Sequence, residues 1–151
     1  VSAVAIAAGF VWLGMVLAIS FLEAPLKFQA PGITIPLGLG IGRLVFRALN
    51  ACELALAAVV TAGLLLSGGG PGGSWGLGGC ALLGAVALLL LQLLLARPLV
   101  TRRSDAVLAG QDPGEHRSRA HLLYVAFEVA KAAALGVGAI ASMVALAALT
   151  G

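Results

Sequence analysis

Charged side chains are scarce, making up 10% of the 151 residues against about 25% in an ordinary soluble domain. With a mean hydropathy of +1.10, a soluble fold of this size would expose more apolar surface than water tolerates. An ordinary water-soluble domain is excluded. Histidine, cysteine and methionine number two each. A bis-histidine haem needs two axial ligands, and His116 sits in a loop, five residues before His121. Copper would want clustered His, Cys or Met, whereas Met15 and Met143 are isolated. No cofactor and no metal are expected. Cys52 and Cys80 form no CxxC and fall at different depths on different helices, too far apart for a disulfide. They read as small packing residues. Aromatics, at 5%, are not interleaved with basic residues, so the net charge of +3 does not signal nucleic acid. Gly38-Leu39-Gly40-Ile41-Gly42 follows no strand and lacks phosphate-loop spacing. No nucleophile–base arrangement is visible, and the chain reads as non-catalytic.

What is present is four long apolar runs. A spanning helix takes about 20 mostly apolar residues to cross about 30 Å of hydrocarbon. Length, Leu and Ala content and the lack of period-2 alternation favour helices over strands. Expected helices cover residues 1–24, 39–66, 76–96 and 120–149. Pro25 ends or kinks the first. Between them LKFQAPGITIPLGLGIG reads as an interfacial loop, SGGGPGGS as an uncharged turn, and Thr101 to Arg119 as an aqueous loop. Trp75 sits at an interfacial position, and Gly76, Gly79, Gly84, Gly136 and Gly138 read as sites of close helix contact. The first run has no basic n-region and is too long for a signal peptide, so it reads as a retained helix. The expected fold is an all-α integral membrane protein, an antiparallel four-helix transmembrane bundle forming one domain over residues 1–151.

Orientation follows from the basic residues. Lys27, Arg43 and Arg47 flank the first loop, and Arg97, Arg102, Arg103, Arg117 and Arg119 flank the third; the second has none. The positive-inside rule then places loops one and three in the cytoplasm and both termini outside, in a cell inner (plasma) membrane. The Ala-, Leu- and Gly-heavy composition is compatible with a GC-rich bacterial genome.

Ionisable and other polar residues interrupt the runs in what would be the cytoplasmic half. Glu23 stands near the inner end of the first helix, Glu53 within the second and Gln92 near the end of the third. On the fourth, Arg117, His121, Tyr124, Glu128 and Lys131 recur at spacings of four, three, four and three. At about 100° per residue they form one stripe. Arg43, Arg47, Asn50 and Glu53 make a second. A charge at the bilayer centre costs about 2.5–3.5 kcal/mol on insertion scales, so these groups should face inward and satisfy one another. The expected ligand or ion-pair network is Glu23, Arg43, Arg47, Asn50, Glu53, His121, Tyr124, Glu128 and Lys131. Glu53 and Lys131, at comparable depths, are the specific pair; Glu23 with Arg43 or Arg47 is a second. The set reads either as a cavity for a proton, an ion or an anionic molecule, or as salt bridges that fix helix register.

The pattern W-L-G…F-L-E-A-P-L-K-F at residues 12–28 and G-x-G-R-L-V-F-R-A-L-N at 40–50 resembles the transmembrane protein 205-like family. R-P-L-V-T-R-R-S-D at 97–105 and R-A-H-L-L-Y at 119–124 are also similar to it. That family is related to the membrane domain of copper-resistance protein D. Pro25, Arg43, Phe46, Arg97 and His121 match the pattern. The resemblance implies a four-helix membrane domain; the copper ligands of the distant relatives are missing here. The expected function is an accessory or assembly subunit of a larger membrane complex, with the lipid bilayer and other membrane subunits or its own copies as partners. The alternative is a small transporter or channel-like protein moving protons, ions or small anions, as an oligomer.

Overall fold

The computed structural model describes residues 1–68, 75–96, 98, 102, 105, 109, 110 and 119–150. Helix α1 covers Ala3–Gln29. The Ser2 hydroxyl starts it by accepting from the Ala5 N–H at 3.3 Å, which satisfies one of the free donors of the first turn. The helix is regular over Ala3–Val16, widens into π-helical turns over Leu17–Glu23 and closes in a 3₁₀ turn at Lys27–Gln29. The stop expected at Ala24 is therefore corrected to Gln29. Proline lacks an N–H, and its ring crowds the carbonyl four residues back. The wide turns directly before Pro25 relieve that crowding, with the Ala24 N–H bonded to the Ile19 carbonyl, and the helix passes through.

Helix α2 covers Ile35–Leu66 and starts ahead of the expected Leu39. The Thr34 hydroxyl accepts from the Leu37 N–H at 3.4 Å, and Pro36 in the first turn has the φ a helix start needs. Ile35 to Gly38, expected as loop, are helical, as are Gly40 and Gly42, where the expected loop and helix overlap. Two of those glycines are contact points instead. A Cβ on Gly38 would overlap the Phe28 ring, and one on Gly42 would lie 2.9 Å from Lys27 Nζ. At the far end the Ser67 hydroxyl donates to the Gly63 carbonyl, and Gly68 turns the chain at φ 73°.

Helix α3 covers Gly76–Leu91 and continues as π-helical turns through Gln92–Ala96. Helix α4 covers Arg119–Thr150. Most of the uncharged turn and of the third loop lies outside the described residues, as do Arg97, Arg103, Arg117 and His116.

Trp12 and Val16 of α1, Val60 and Leu64 of α2, Leu82 and Leu89 of α3 and Leu135 of α4 meet in one apolar core. Helices α3 and α4 approach closely at two glycines. A Cβ on Gly138 would stand 2.9 Å from the Leu82 backbone nitrogen, and one on Gly78 would stand 2.7 Å from that of Ser142. Gly79 is likewise packed, against Trp75 and Leu64. Gly84 and Gly76 have no neighbour within 4 Å of a Cβ, and Gly136 only Leu13 at 3.9 Å, so the close contacts expected there are not made. Nor are Cys52 and Cys80 packing residues: both are free thiols on exposed faces. Leu44, Leu66, Leu77, Leu94, Leu122 and Leu149 are among many large apolar side chains left on the outside. Four helices are long and apolar enough to cross a membrane, and among the described residues there is no strand.

Candidate functional site

The site is built from one stripe on α4. Tyr124, Glu128 and Lys131 follow at three- and four-residue steps, so the helix turns them toward the same side. Lys131 is fully buried, where an ammonium must find partners for all its donors. It finds three. Its Nζ lies 2.5 Å from Glu53 Oε1 on α2, 2.8 Å from Gln92 Oε1 on α3 and 3.2 Å from Glu128 Oε1 on its own helix. The Gln92 amide also donates to Glu128 Oε1 at 2.5 Å, and the Trp12 indole N–H of α1 donates to Glu53 Oε1 at 2.9 Å.

Each of the four helices thus supplies at least one member of the network. Trp12, Glu53, Gln92, Glu128 and Lys131 are all essentially without solvent exposure. The anticipated Glu53–Lys131 pair is present at its centre. Two carboxylates share the one ammonium, and the second oxygens, Glu53 Oε2 and Glu128 Oε2, are buried without a hydrogen-bond partner.

Toward the beginnings of α2 and α4 the network adjoins a cavity of about 600 Å³. Arg43, Arg47 and Asn50 of α2, Lys27 and Ser20 of α1, and Tyr124 and Glu128 of α4 provide its polar lining. Phe21, Phe28, Leu39, Phe46 and Val125 provide apolar wall. Tyr124 is fixed by an edge-on contact with Phe46, centroids 5.6 Å apart, and Lys27 Nζ sits 5.4 Å from the centroid of the same Phe46 ring, a favourable cation–π placement.

The other sequence-selected residues are distributed differently from expectation. Glu23 pairs with Lys27 at 3.5 Å rather than with an arginine, because α1 remains helical past Pro25 and brings i and i+4 together. Arg43 pairs at 2.5 Å with Asp105, an exposed residue whose backbone is helical although the stretch was expected as loop. Arg47 is exposed and pairs with no described residue. Asn50 is buried, its Oδ1 unpartnered. His121 lies on α4 by its backbone, and its side chain is outside the described residues. The single set read from the sequence therefore separates into a closed inner network and an open cationic cavity, with Glu128 in contact with both.

Trp12 and Gln92 were not in that set. Gln92 was visible as a polar break in an apolar run. Trp12 lies well inside its run, away from the interfacial level where tryptophan is at ease; a buried indole N–H needs an acceptor, and that was the available signal. No protein family, no curated protein and no solved structure matches this chain.

Proposed function

We propose that the chain is a non-catalytic four-helix integral membrane protein, an accessory or assembly subunit of a larger membrane complex. The observation that carries this reading is the closure of the network. Lys131 is engaged on three sides, and beyond it Val60, Leu64, Leu82 and Leu135 fill the interior. A solute path through a single copy would have to break the contacts that hold all four helices together. A buried ion pair contributes little net stability but specifies register, which suits a protein whose task is to keep a fixed shape for its neighbours.

The membrane reading draws support from the four long apolar helices and their apolar exterior. Ser2 lies beside Gly63, Trp12 bonds Glu53, and Phe28 lies beside Gly38, which supports an antiparallel course for α1 and α2. Lys27, Arg43 and Arg47 gather at the end of the fold where Arg43 meets Asp105. By the positive-inside rule that end is cytoplasmic. The resemblance to the transmembrane protein 205-like family belongs to the same proposal.

The cavity favours a second reading, in which an oligomer moves protons or small anions. Reconstitution into liposomes separates the two. For a subunit, neither the native protein nor Glu53→Ala carries flux, and Glu53→Ala lowers recovery of the complex seen by native mass spectrometry after gentle extraction. Proton or anion flux abolished by Glu53→Ala in a folded protein would overturn the subunit reading, as would a monodisperse monomer without a co-purifying partner.

A further inference from the structure

The cavity has a charge asymmetry that specifies its occupant. At its mouth Lys27, Arg43 and Arg47 face only two carboxylates among the described residues, Glu23 and Asp105, which leaves the Arg47 guanidinium uncompensated. At its inner end Glu128 belongs to a network in which two carboxyl groups share one ammonium, so acidic groups outnumber basic ones there. The unpartnered buried atoms among the lining residues are Ser20 Oγ, Asn50 Oδ1, Tyr124 Oη and Glu128 Oε2. Asn50 Oδ1 and Glu128 Oε2 only accept, whereas the Ser20 and Tyr124 hydroxyls accept as well as donate, and Tyr124 adjoins Glu128. Asn50 is 6% exposed and Glu128 1%, so bulk water barely reaches them, and a buried polar atom without a partner is costly.

A ligand that completes this cavity carries an anion at one end and a hydrogen-bond-donating cation at the other, a short step apart. Arg47 and Asn50 are separated by about 4.5 Å of helix rise at about 1.5 Å per residue. The aromatic walls at Phe21, Phe28 and Phe46 suit a hydrocarbon portion. We infer that the cavity binds a zwitterionic phosphate–ammonium group, with the phosphate at Arg47 and Arg43 and a primary ammonium at Asn50, Tyr124 and Glu128. This inference rests on the membrane reading above but not on the subunit role. The group could arrive as a lipid headgroup or as a free phosphoamine, and the two sources share one chemistry.

The test uses the full chain in nanodiscs of equimolar phosphatidylethanolamine, phosphatidylcholine and phosphatidylglycerol, with retained lipid read by native mass spectrometry. The choline lipid has the charges without N–H donors; the glycerol lipid has the phosphate without the cation. A charge-assisted hydrogen bond is worth about tenfold in binding, so the ethanolamine lipid should be retained about tenfold over both. Arg47→Ala, at an exposed position, should weaken all three. Glu128→Gln should erase the preference for ethanolamine over choline, and Tyr124→Phe, which keeps the ring and removes only the hydroxyl, should reduce it if the Gln variant does not fold. Soluble phosphoethanolamine is the second arm: binding from solution without lipid preference assigns the free source and supports the same chemistry. Equal retention of the three lipids together with no binding of phosphoethanolamine would overturn the inference, as would retention indifferent to both Arg47→Ala and Tyr124→Phe. A chain that stays dispersed in water without detergent would instead overturn the membrane reading beneath it.

Discussion

Lys131 shows how a single side chain dictates the composition around it. An ammonium with no exposure must be matched by acceptors, and the fold brings Glu53, Gln92 and Glu128 to it from three helices. Removing one partner of a buried ionic cluster costs about 3–5 kcal/mol because the remaining charges are left uncompensated. Lys131→Met should therefore destabilise strongly, since it leaves two carboxylates facing each other. Adding Glu53→Gln and Glu128→Gln to it should restore most of the loss, because the charges then vanish together. Thermal unfolding in detergent micelles measures both; a Lys131→Met protein as stable as the native one would show that the network holds nothing. Trp12→Phe takes one donor from Glu53 and should cost about 1–3 kcal/mol. At this scale the Glu53–Lys131 pair was legible, because depth can be counted along a helix from its polar end. The Arg43–Asp105 pair was not, since Asp105 was read as part of an aqueous loop, whereas its backbone is helical.

At the scale of the helix, composition proved a poorer guide than contact. The glycines and prolines before Arg43 suggest a loop by propensity, yet Thr34 and Pro36 start a helix there and Gly38 and Gly42 admit Phe28 and Lys27. Tertiary packing won over intrinsic preference. The π-helical turns at Leu17–Glu23 and Gln92–Ala96 leave no sequence period to recognise, and Pro25 alone did not reveal that α1 continues. The four apolar runs themselves were plain, because length and hydropathy act over 20 residues and outweigh any one position. Two glycines give a paired prediction. Gly138→Ala places a methyl group 2.9 Å from the Leu82 backbone nitrogen; backbone cannot swing aside, and overpacking of this kind costs about 1–3 kcal/mol. Gly84→Ala meets no atom within 4 Å and should be neutral or stabilising by up to about 1 kcal/mol through helix propensity. Unfolding midpoints of the two variants in one detergent should move in opposite directions or leave Gly84→Ala unmoved. A harmless Gly138→Ala would show that α3 and α4 do not meet at that glycine.

Over the whole molecule, the distribution of charge along α2 sets the scale of the fold against a bilayer. From Arg47 to Ser67 the helix advances about 30 Å at about 1.5 Å per residue, which matches the thickness of the hydrocarbon core. In a membrane crossed by this helix, Arg47 and Ser67 would fall at opposite faces, with Glu53 inside the arginine side at the depth of the buried network. The proposed orientation puts Arg47 and the third loop in the cytoplasm and Ser67 outside. Native Cys52 and Cys80 are exposed thiols, so a reporter needs them replaced by serine first. In that background Ser67→Cys should react with a membrane-impermeant maleimide added to intact cells, while Ala109→Cys, exposed in the third loop, should react only after permeabilisation. The reverse pattern would mean that the basic end faces outward, against the charge bias. Labelling of both from the same side would remove the 30 Å separation on which the membrane arrangement depends.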